Sequence, residues 1–190
     1  NGVSMVTLYY LRRFFIFFEN ILNKYEQDDL EISVELDHFL NELTTTLAQN
    51  KELLTGQISN QDRKKVLDGL GKAGSSYRNT IYAQKFSGKK TKTHKSNITL
   101  FISLSLAFLD HAIKANKRPD HLYHAYNLMT VNGEDEVAIS YLPEMLEGQV
   151  AVLSSGYLSS QESLEVLDAL KSSRLFRADQ FSYILYPNKD

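Results

Sequence analysis

The fold class follows from residues 98–115, which read ITLFISLSLAFLDHAIKA. The large apolar side chains of this stretch lie around most of the circumference of an α-helix instead of along one stripe. A helix of this kind is buried by neighbours on several sides. We therefore expect helix 98–115 to be the most buried element of the protein.

Amphipathic helices are predicted on both sides of this stretch, because apolar residues recur at three- and four-residue steps. Ser59 with Asp62, and Ser159 with Glu162, have the spacing of helix-capping pairs. The predicted helices cover about residues 5–25, 31–54, 59–86, 98–115 and 159–170.

Strand is predicted only in the tail, where residues 181–186 have the aromatic and β-branched content of an extended segment. We predict an all-α fold of antiparallel helical pairs, part of an (α/α) toroid or of a helical bundle. Residues 1–190 are expected to form a single helical domain or a fragment of a larger helical domain.

The composition argues against several classes of protein. Cysteine is absent, which excludes a disulfide framework and fits a reducing compartment, so we expect a cytoplasmic protein. The five histidines are scattered and make no zinc signature, so we predict no metal and no cofactor. An isoelectric point of about 6.2 argues against a dedicated nucleic-acid binder. The longest apolar stretch that we considered as a membrane span, Val3 to Leu22, is interrupted by charged residues, so we predict no span.

Residues 87–96 read SGKKTKTHKS, a polar and lysine-rich segment with no apolar side chain to bury. We predict a flexible, solvated loop here. The alternative is a binding site for phosphate or another polyanion, although the Gly-rich strand-to-helix turn of a phosphate cradle is missing.

Residues 69–74 read GLGKAG and match the dinucleotide-binding pattern Gly-x-Gly-x-x-Gly. That mechanism needs a strand before the glycines and an acidic residue about 20 positions later. Residues 59–68 are predicted as helix, and no acidic residue follows before Asp110. The favoured interpretation is a glycine-rich part of a helix against which a neighbouring helix packs closely.

The densest polar and aromatic cluster, residues 116–127, lies at the helix break that Pro119 imposes. An Arg and an Asp two residues apart can orient a substrate through paired hydrogen bonds, and histidines can exchange protons near neutral pH. Tyrosines can pack on a sugar ring while their hydroxyls bond its edges. The alternative is a polar turn in which Asp120 caps the next helix and the tyrosines are half buried. The candidate substrate-binding residues are Arg118, Asp120, His121, Tyr123, His124 and Tyr126.

Carboxylates for the paired acid and base of glycoside cleavage are also present. Glu144 and Glu147 are three residues apart on one face of a predicted helix, and residues 134–136, Glu-Asp-Glu, follow an Asn-Gly turn. We interpret both groups as solvated surface.

Residues 147–156 read EGQVAVLSSG and resemble a signature of the inverting glycoside phosphorylases that include cellobiose phosphorylase. In those enzymes a Gln, a Trp and an apolar run ending in Ser-Gly open one helix of an (α/α) toroid. Residues 159–170 resemble the next helix of that family, and residues 183–187 are similar to its short apolar segment ending in Pro. Residues 123–126 loosely resemble the aromatic and basic stretch that precedes this region.

The resemblance covers about residues 120–187 and implies a helical region of a carbohydrate-active, glycoside phosphorylase-like protein. Carbohydrate and phosphate are the implied ligands, and we expect no activity from the region in isolation. The sequence departs from the family because it has no Trp and no Asp-Trp-Asn-Asp segment, where the catalytic acid lies. The catalytic residues are therefore unknown.

Similar stretches occur in long uncharacterised bacterial proteins, so we expect a protein partner or the remainder of a longer chain. The alternative function is a non-enzymatic helical interaction or scaffold module whose apolar helices serve a partner interface.

Overall fold

The computed structural model describes residues 2–187 and corrects the predicted fold class. The protein is 59% helical and 17% strand, with six helices and three small sheets. The fold is mixed α/β, so the prediction of an all-α toroid or bundle is wrong. The predicted helices exist, but the strands between them were missed.

The element bounds are as follows. The helices are α1 (Met5–Lys24), α2 (Val34–Gln49), α3 (Asn60–Gln84), α4 (Lys95–Ala115), α5 (Leu146–Ser154) and α6 (Ser160–Ser172), with a 3-10 turn at Lys51–Thr55. The strands are β1 (Gly2–Ser4), β2 (Asp29–Ser33), β3 (Lys90–His94), β4 (Tyr126–Asn132), β5 (Glu136–Tyr141), β6 (Phe176–Arg177) and β7 (Ser182–Tyr183). The sheets have the strand orders β1-β4-β5, β2-β3 and β6-β7.

The described residues divide into two compact units. The expectation of a single helical domain, or of a fragment of a larger one, stays a prediction. The first unit contains residues 2–15, 109–131 and 138–187, and the second contains residues 16–108 and 132–137. Helices α1 and α4 each contribute residues to both units.

The first unit has a single apolar core. Strand β1 leads directly into α1 and pairs antiparallel with β4, with Ser4 opposite Tyr126. Ser159 with Glu162 forms a complete capping box at the start of α6, as the sequence predicted. The other predicted capping pair, Ser59 with Asp62, is confirmed at the start of α3 in the second unit. The core consists of Met5, Tyr9, Ile113, Leu122, Tyr123, Ala151, Val152, Val166, Leu170 and Leu175.

The second unit is built on the helical pair α2 and α3, where Phe39 stacks on Tyr77 with 4.8 Å between ring centroids. Gly69 lies inside α3 against Thr46 of α2, and a Cβ atom at Gly69 would lie 2.6 Å from Cγ2 of Thr46. The glycine-rich stretch 69–74 is therefore helix, as its favoured interpretation predicted, and one of its glycines lets the two helices approach closely.

The lysine-rich segment 87–96 is not a loop throughout, because Lys90–His94 forms β3. This strand pairs antiparallel with β2, which places Lys92 opposite Glu31. Thr93 is buried and donates its hydroxyl to Asp37 Oδ1 at 2.5 Å. Alternate side chains of β3 turn inward, with Thr91 partly buried and Thr93 buried, and the partner strand is charge-complementary at Glu31. These contacts stabilise a segment whose composition alone resembles a loop.

Helix α4 is less buried than its composition predicts. Five of its 21 residues are buried, whereas α5 buries four of its nine residues. The prediction that this stretch is the most buried element is therefore wrong.

Among the described residues, α4 is also the one helix that is long and apolar enough to cross a membrane. Of its apolar 18-residue stretch, 28% is buried. The Val3 to Leu22 stretch, which we considered as a span from the sequence and rejected, lies in β1 and α1. It does not have the length and apolar composition that a membrane span requires. A single helix of this kind is weak evidence for a span, because core helices of globular proteins have the same composition.

The contact between α2 and α3 gives a prediction with a built-in control. Gly71→Ala, with open space at its Cβ, should raise the free energy of unfolding by about 0.5–1 kcal/mol, the usual gain in a helix interior. Gly69→Ala should instead lower it by about 1–3 kcal/mol, because the new methyl group overlaps Thr46. Urea unfolding of both variants measures the difference. Equal stabilisation by the two substitutions would contradict the close contact.

Candidate functional site

The predicted cluster lies on a tight turn between α4 and β4. Backbone bonds close the turn, since the N–H of Arg118 donates to Leu122 O at 2.8 Å and that of His121 donates to Arg118 O at 3.1 Å. His121 has a φ of 65°, a conformation that non-glycine residues adopt mainly in turns. Asp120 Oδ1 accepts the N–H of Leu122 at 3.2 Å, so Asp120 caps this turn and not a helix.

The turn is anchored by one fully buried side chain, Gln149 of α5. Its Oε1 accepts the N–H of Tyr123 at 2.8 Å, and its Nε2 donates to Tyr123 O at 2.8 Å and to Met145 O at 2.9 Å. The peptide groups of Tyr123 are thus satisfied as they would be by a neighbouring β-strand. A Cβ atom at Gly148 would lie 2.9 Å from Cα of Ala125, so only glycine permits this approach of α5.

Helix α1 holds the other side of the same segment. The hydroxyl of Tyr9 donates to His124 O at 2.8 Å, and the N–H of Met5 donates to Ala125 O at 2.9 Å. Burial, with the neighbouring Tyr123 as a second cause, raises the pKa of the Tyr9 hydroxyl. Burial likewise raises the pKa of Tyr123 to about 12. Both hydroxyls therefore stay protonated in the core over the physiological pH range.

A charged network lies behind the turn. Arg118 binds Asp120 through two atoms, with Nε–Oδ1 at 3.0 Å and Nη2–Oδ2 at 2.7 Å. Glu144 is buried between Arg118 and Arg174, at 3.4 Å and 3.1 Å. Burial alone would raise the pKa of Glu144, but the Arg174 hydrogen bond and the two guanidinium charges outweigh it, so that pKa is lowered. The hydrogen bond from Arg118 lowers the pKa of Asp120.

Glu144 also corrects the sequence-based interpretation of its surroundings. It lies before α5, which begins at Leu146, so it does not share a helix face with Glu147. It is buried and ion-paired where solvated surface was predicted.

A surface depression of about 330 Å³ lies beside the turn. Glu165 of α6 forms an ion pair with Lys117 at 3.6 Å. It also lies 3.5 Å from Nδ1 of His121, with which it forms a second ion pair when the imidazole is protonated. The residues that line the depression are Asp120, His121, Glu165, Asp168, Ala169 and Ser172.

The six candidate residues separate into two groups. Asp120 and His121 line the depression, and Arg118 supports Asp120 from behind. Tyr123 and His124 are buried, so neither ring is available to a ligand at the surface, and Tyr126 is partly buried in β4.

The residues that α6 contributes to the depression were not identified from the sequence. Glu165, Asp168 and Ser172 share one face of α6 at spacings of three and four residues, which the sequence displays. Nothing in the sequence indicated that this face of α6 lies beside residues 120 and 121.

The depression offers hydrogen-bond acceptors from the carboxylates of Asp120, Glu165 and Asp168, together with the imidazole ring of His121. Among residues 2–187, no group of three His, Cys, Asp or Glu side chains could hold a metal ion. The arrangement therefore suits a ligand that donates hydrogen bonds, through hydroxyl or amine groups.

Comparison with known proteins assigns no family to the chain. Neither a protein-family model nor a curated protein matches its sequence. The resemblance to inverting glycoside phosphorylases stays a prediction, and the functional argument depends on the geometry above.

The anchoring role of Gln149 is testable by Gln149→Leu, which keeps the size of the side chain. The substitution leaves the buried N–H and C=O of Tyr123 without partners, at about 1–3 kcal/mol each. We expect a loss of about 2–5 kcal/mol in the free energy of unfolding. Gln180→Leu, at an exposed turn, is the control and should change stability by less than about 0.5 kcal/mol. A loss no larger than that of the control would show that the anchor is unimportant.

The burial of Tyr123 gives a second prediction, which separates a core tyrosine from a sugar-stacking one. Tyr123→Ala should destabilise the protein by about 3–5 kcal/mol, as truncation of a buried aromatic does. Tyr186→Ala, at an exposed tyrosine, should cost far less. Thermal unfolding measures both, and a fully stable Tyr123→Ala protein would place that ring outside the core.

Proposed function

We propose that the first unit is a carbohydrate-binding part of a glycoside phosphorylase-like protein, with the depression beside α6 as its sugar site. The observation that carries this proposal is the convergence of Asp120, His121, Glu165 and Asp168 around one open space of about 330 Å³. Carboxylate oxygens accept hydrogen bonds from neighbouring hydroxyl groups, and charge-assisted bonds of this kind are the strong ones.

The charge of the depression favours a neutral sugar over phosphate. Three carboxylates line it, and two of them already engage a cation each, Asp120 with Arg118 and Glu165 with Lys117. A phosphate group would meet net negative charge there. We therefore assign carbohydrate, and not phosphate, to this site.

The resemblance of residues 147–156 to the phosphorylase signature is the sequence-based support. Two residues of that stretch, Gly148 and Gln149, make contacts in this protein that depend on their residue types. This is the behaviour expected of a signature that specifies local structure. We propose no catalytic residue and no activity for the chain alone, and the absence of cysteine leads us to place the protein in the cytoplasm.

A second candidate function is an interaction module, favoured by exposed apolar side chains on the first unit. Leu164 and Leu167 of α6 are 52% and 49% exposed, and Val150 of α5 is 52% exposed. Leu164 and Leu167 are three residues apart on α6 and are therefore neighbours on its surface, and neighbouring exposed apolar side chains are typical of protein interfaces. In this case the partner is another protein or the remainder of a longer chain, and no sugar binds.

Titration calorimetry with a panel of β-linked gluco-oligosaccharides tests the carbohydrate proposal. We expect binding by the wild-type chain and an affinity at least about tenfold lower for Asp168→Asn, because a hydrogen bond to a charged group contributes about 1.5–3 kcal/mol. The substitution keeps the size of the side chain and removes its charge.

Asp68→Asn on α3 is the matched control, since it removes a helical aspartate from the other unit. It should bind as the wild type does. No binding by the wild type, or equal affinity in the two variants, would exclude the depression as a sugar site. Absence of binding together with association through α6, lost in Leu164→Ser, would favour the interaction module.

A further inference from the structure

His124 is a buried histidine within residues 116–125, the segment that carries the turn. Its ring stacks on Tyr141 of β5, with 4.2 Å between centroids and 14° between planes. Only 8% of the residue is exposed. Its Nδ1 atom is buried and has no hydrogen-bond partner among the described residues.

The surroundings of His124 favour a neutral ring. The titratable groups that face it are Arg118 and Asp120 on its own segment, Tyr141 on β5, and Tyr9 on α1. Burial, and then the positive charge of Arg118, lower the pKa of His124. A hydrogen bond with the backbone of Leu142 and the negative charge of Asp120 raise it by less. Asp120 compensates little, because its carboxylate is already bound by Arg118.

We propose that His124 is a pH-sensitive device, which takes up a proton in mildly acidic solution and thereby loosens segment 116–125. The proton comes from solvent and adds to the imidazole, and Nδ1 is the ring atom left without a partner. The resulting cation has no anionic partner of its own and lies near Arg118. The segment relieves this unpaired charge by moving away from Tyr141 and the core.

The direction of the effect on stability follows from proton linkage. The histidine of the unfolded chain titrates near pH 6.5, whereas the folded protein resists protonation of His124. Stability from this group is therefore fully present above about pH 6.5 and falls as the pH drops below it, because the unfolded state then binds more protons.

A consequence for the depression rests on the proposed function. Asp120 and His121 belong to the same segment as His124, so loosening of that segment displaces two of the residues that line the depression. Sugar binding should weaken only at the lower pH at which His124 of the folded protein takes up its proton, whereas stability already falls below about pH 6.5. The stability effect itself does not depend on any sugar, so its failure and the failure of the carbohydrate proposal are distinguishable.

The experiment compares urea unfolding midpoints between about pH 5.5 and 7.5, where the carboxylates with lowered pKa values stay ionised. Wild type, His124→Phe and His38→Gln are compared. Phe keeps the ring against Tyr141 and cannot titrate. His38 lies on α2 with its side chain 70% exposed and serves as the control. We expect the midpoint to fall with pH in the wild type and in His38→Gln, and to fall less in His124→Phe.

Imidazole resonances of the wild-type protein, followed by NMR over the same pH range, provide a measurement that needs no variant to fold. We expect His124 to titrate below the range of a histidine in a model peptide, with Tyr141 ring resonances shifting at the same midpoint. His124→Gln is the second variant if Phe is not tolerated. Titration of His124 within or above the ordinary range, or identical pH dependence in wild type and His124→Phe, would overturn the proposal.

Discussion

A buried amide side chain satisfies both peptide groups of one residue, and the first unit is organised around that interaction. Gln149 takes the place of a partner strand for Tyr123, which leaves the chain free to turn sharply just before it. A buried peptide group without a partner costs about 1–3 kcal/mol, so an irregular segment can enter a core only where such a partner exists. The contact works because Gly148 lets the axis of α5 reach the backbone of Ala125.

The same segment fixes the start of α1 and the position of the depression. Ala125 O accepts the first helical N–H groups of α1, and Tyr9 bonds the carbonyl of His124. With residues 122–125 held from two sides, the turn before them projects Asp120 and His121 outward. Arg118, which also pairs with the buried Glu144, then fixes Asp120 by an ion pair. The residues at the surface are thus positioned by contacts that are themselves buried.

The candidate cluster was found from its composition, but the roles of its members were not. Nothing in the local sequence distinguishes the outward-facing His121 from the buried His124 three residues later, because the direction of each depends on α1 and α5. The hairpin of β4 and β5 had a local signal, since Asn132-Gly133 is typical of a tight hairpin turn and Gly133 has a φ of 63°. That turn was recognised, but the flanking residues were not predicted as strands.

The sequence by itself determined the approximate positions of most helices and the caps of α3 and α6. Apolar periodicity and side-chain bonds across three residues, such as Ser159 with Glu162, are local, and no distant residue changes them. Tertiary structure alone decided the pairing of β2 with β3, because the helical pair α2 and α3 brings residue 89 back beside residue 34. There the N–H of Val34 donates to Lys89 O at 3.2 Å. Tertiary structure also decided which carboxylates are buried and which line the depression. Strand pairing and burial depend on partners far along the chain, and a lysine-rich strand reads as a loop until its partner is present.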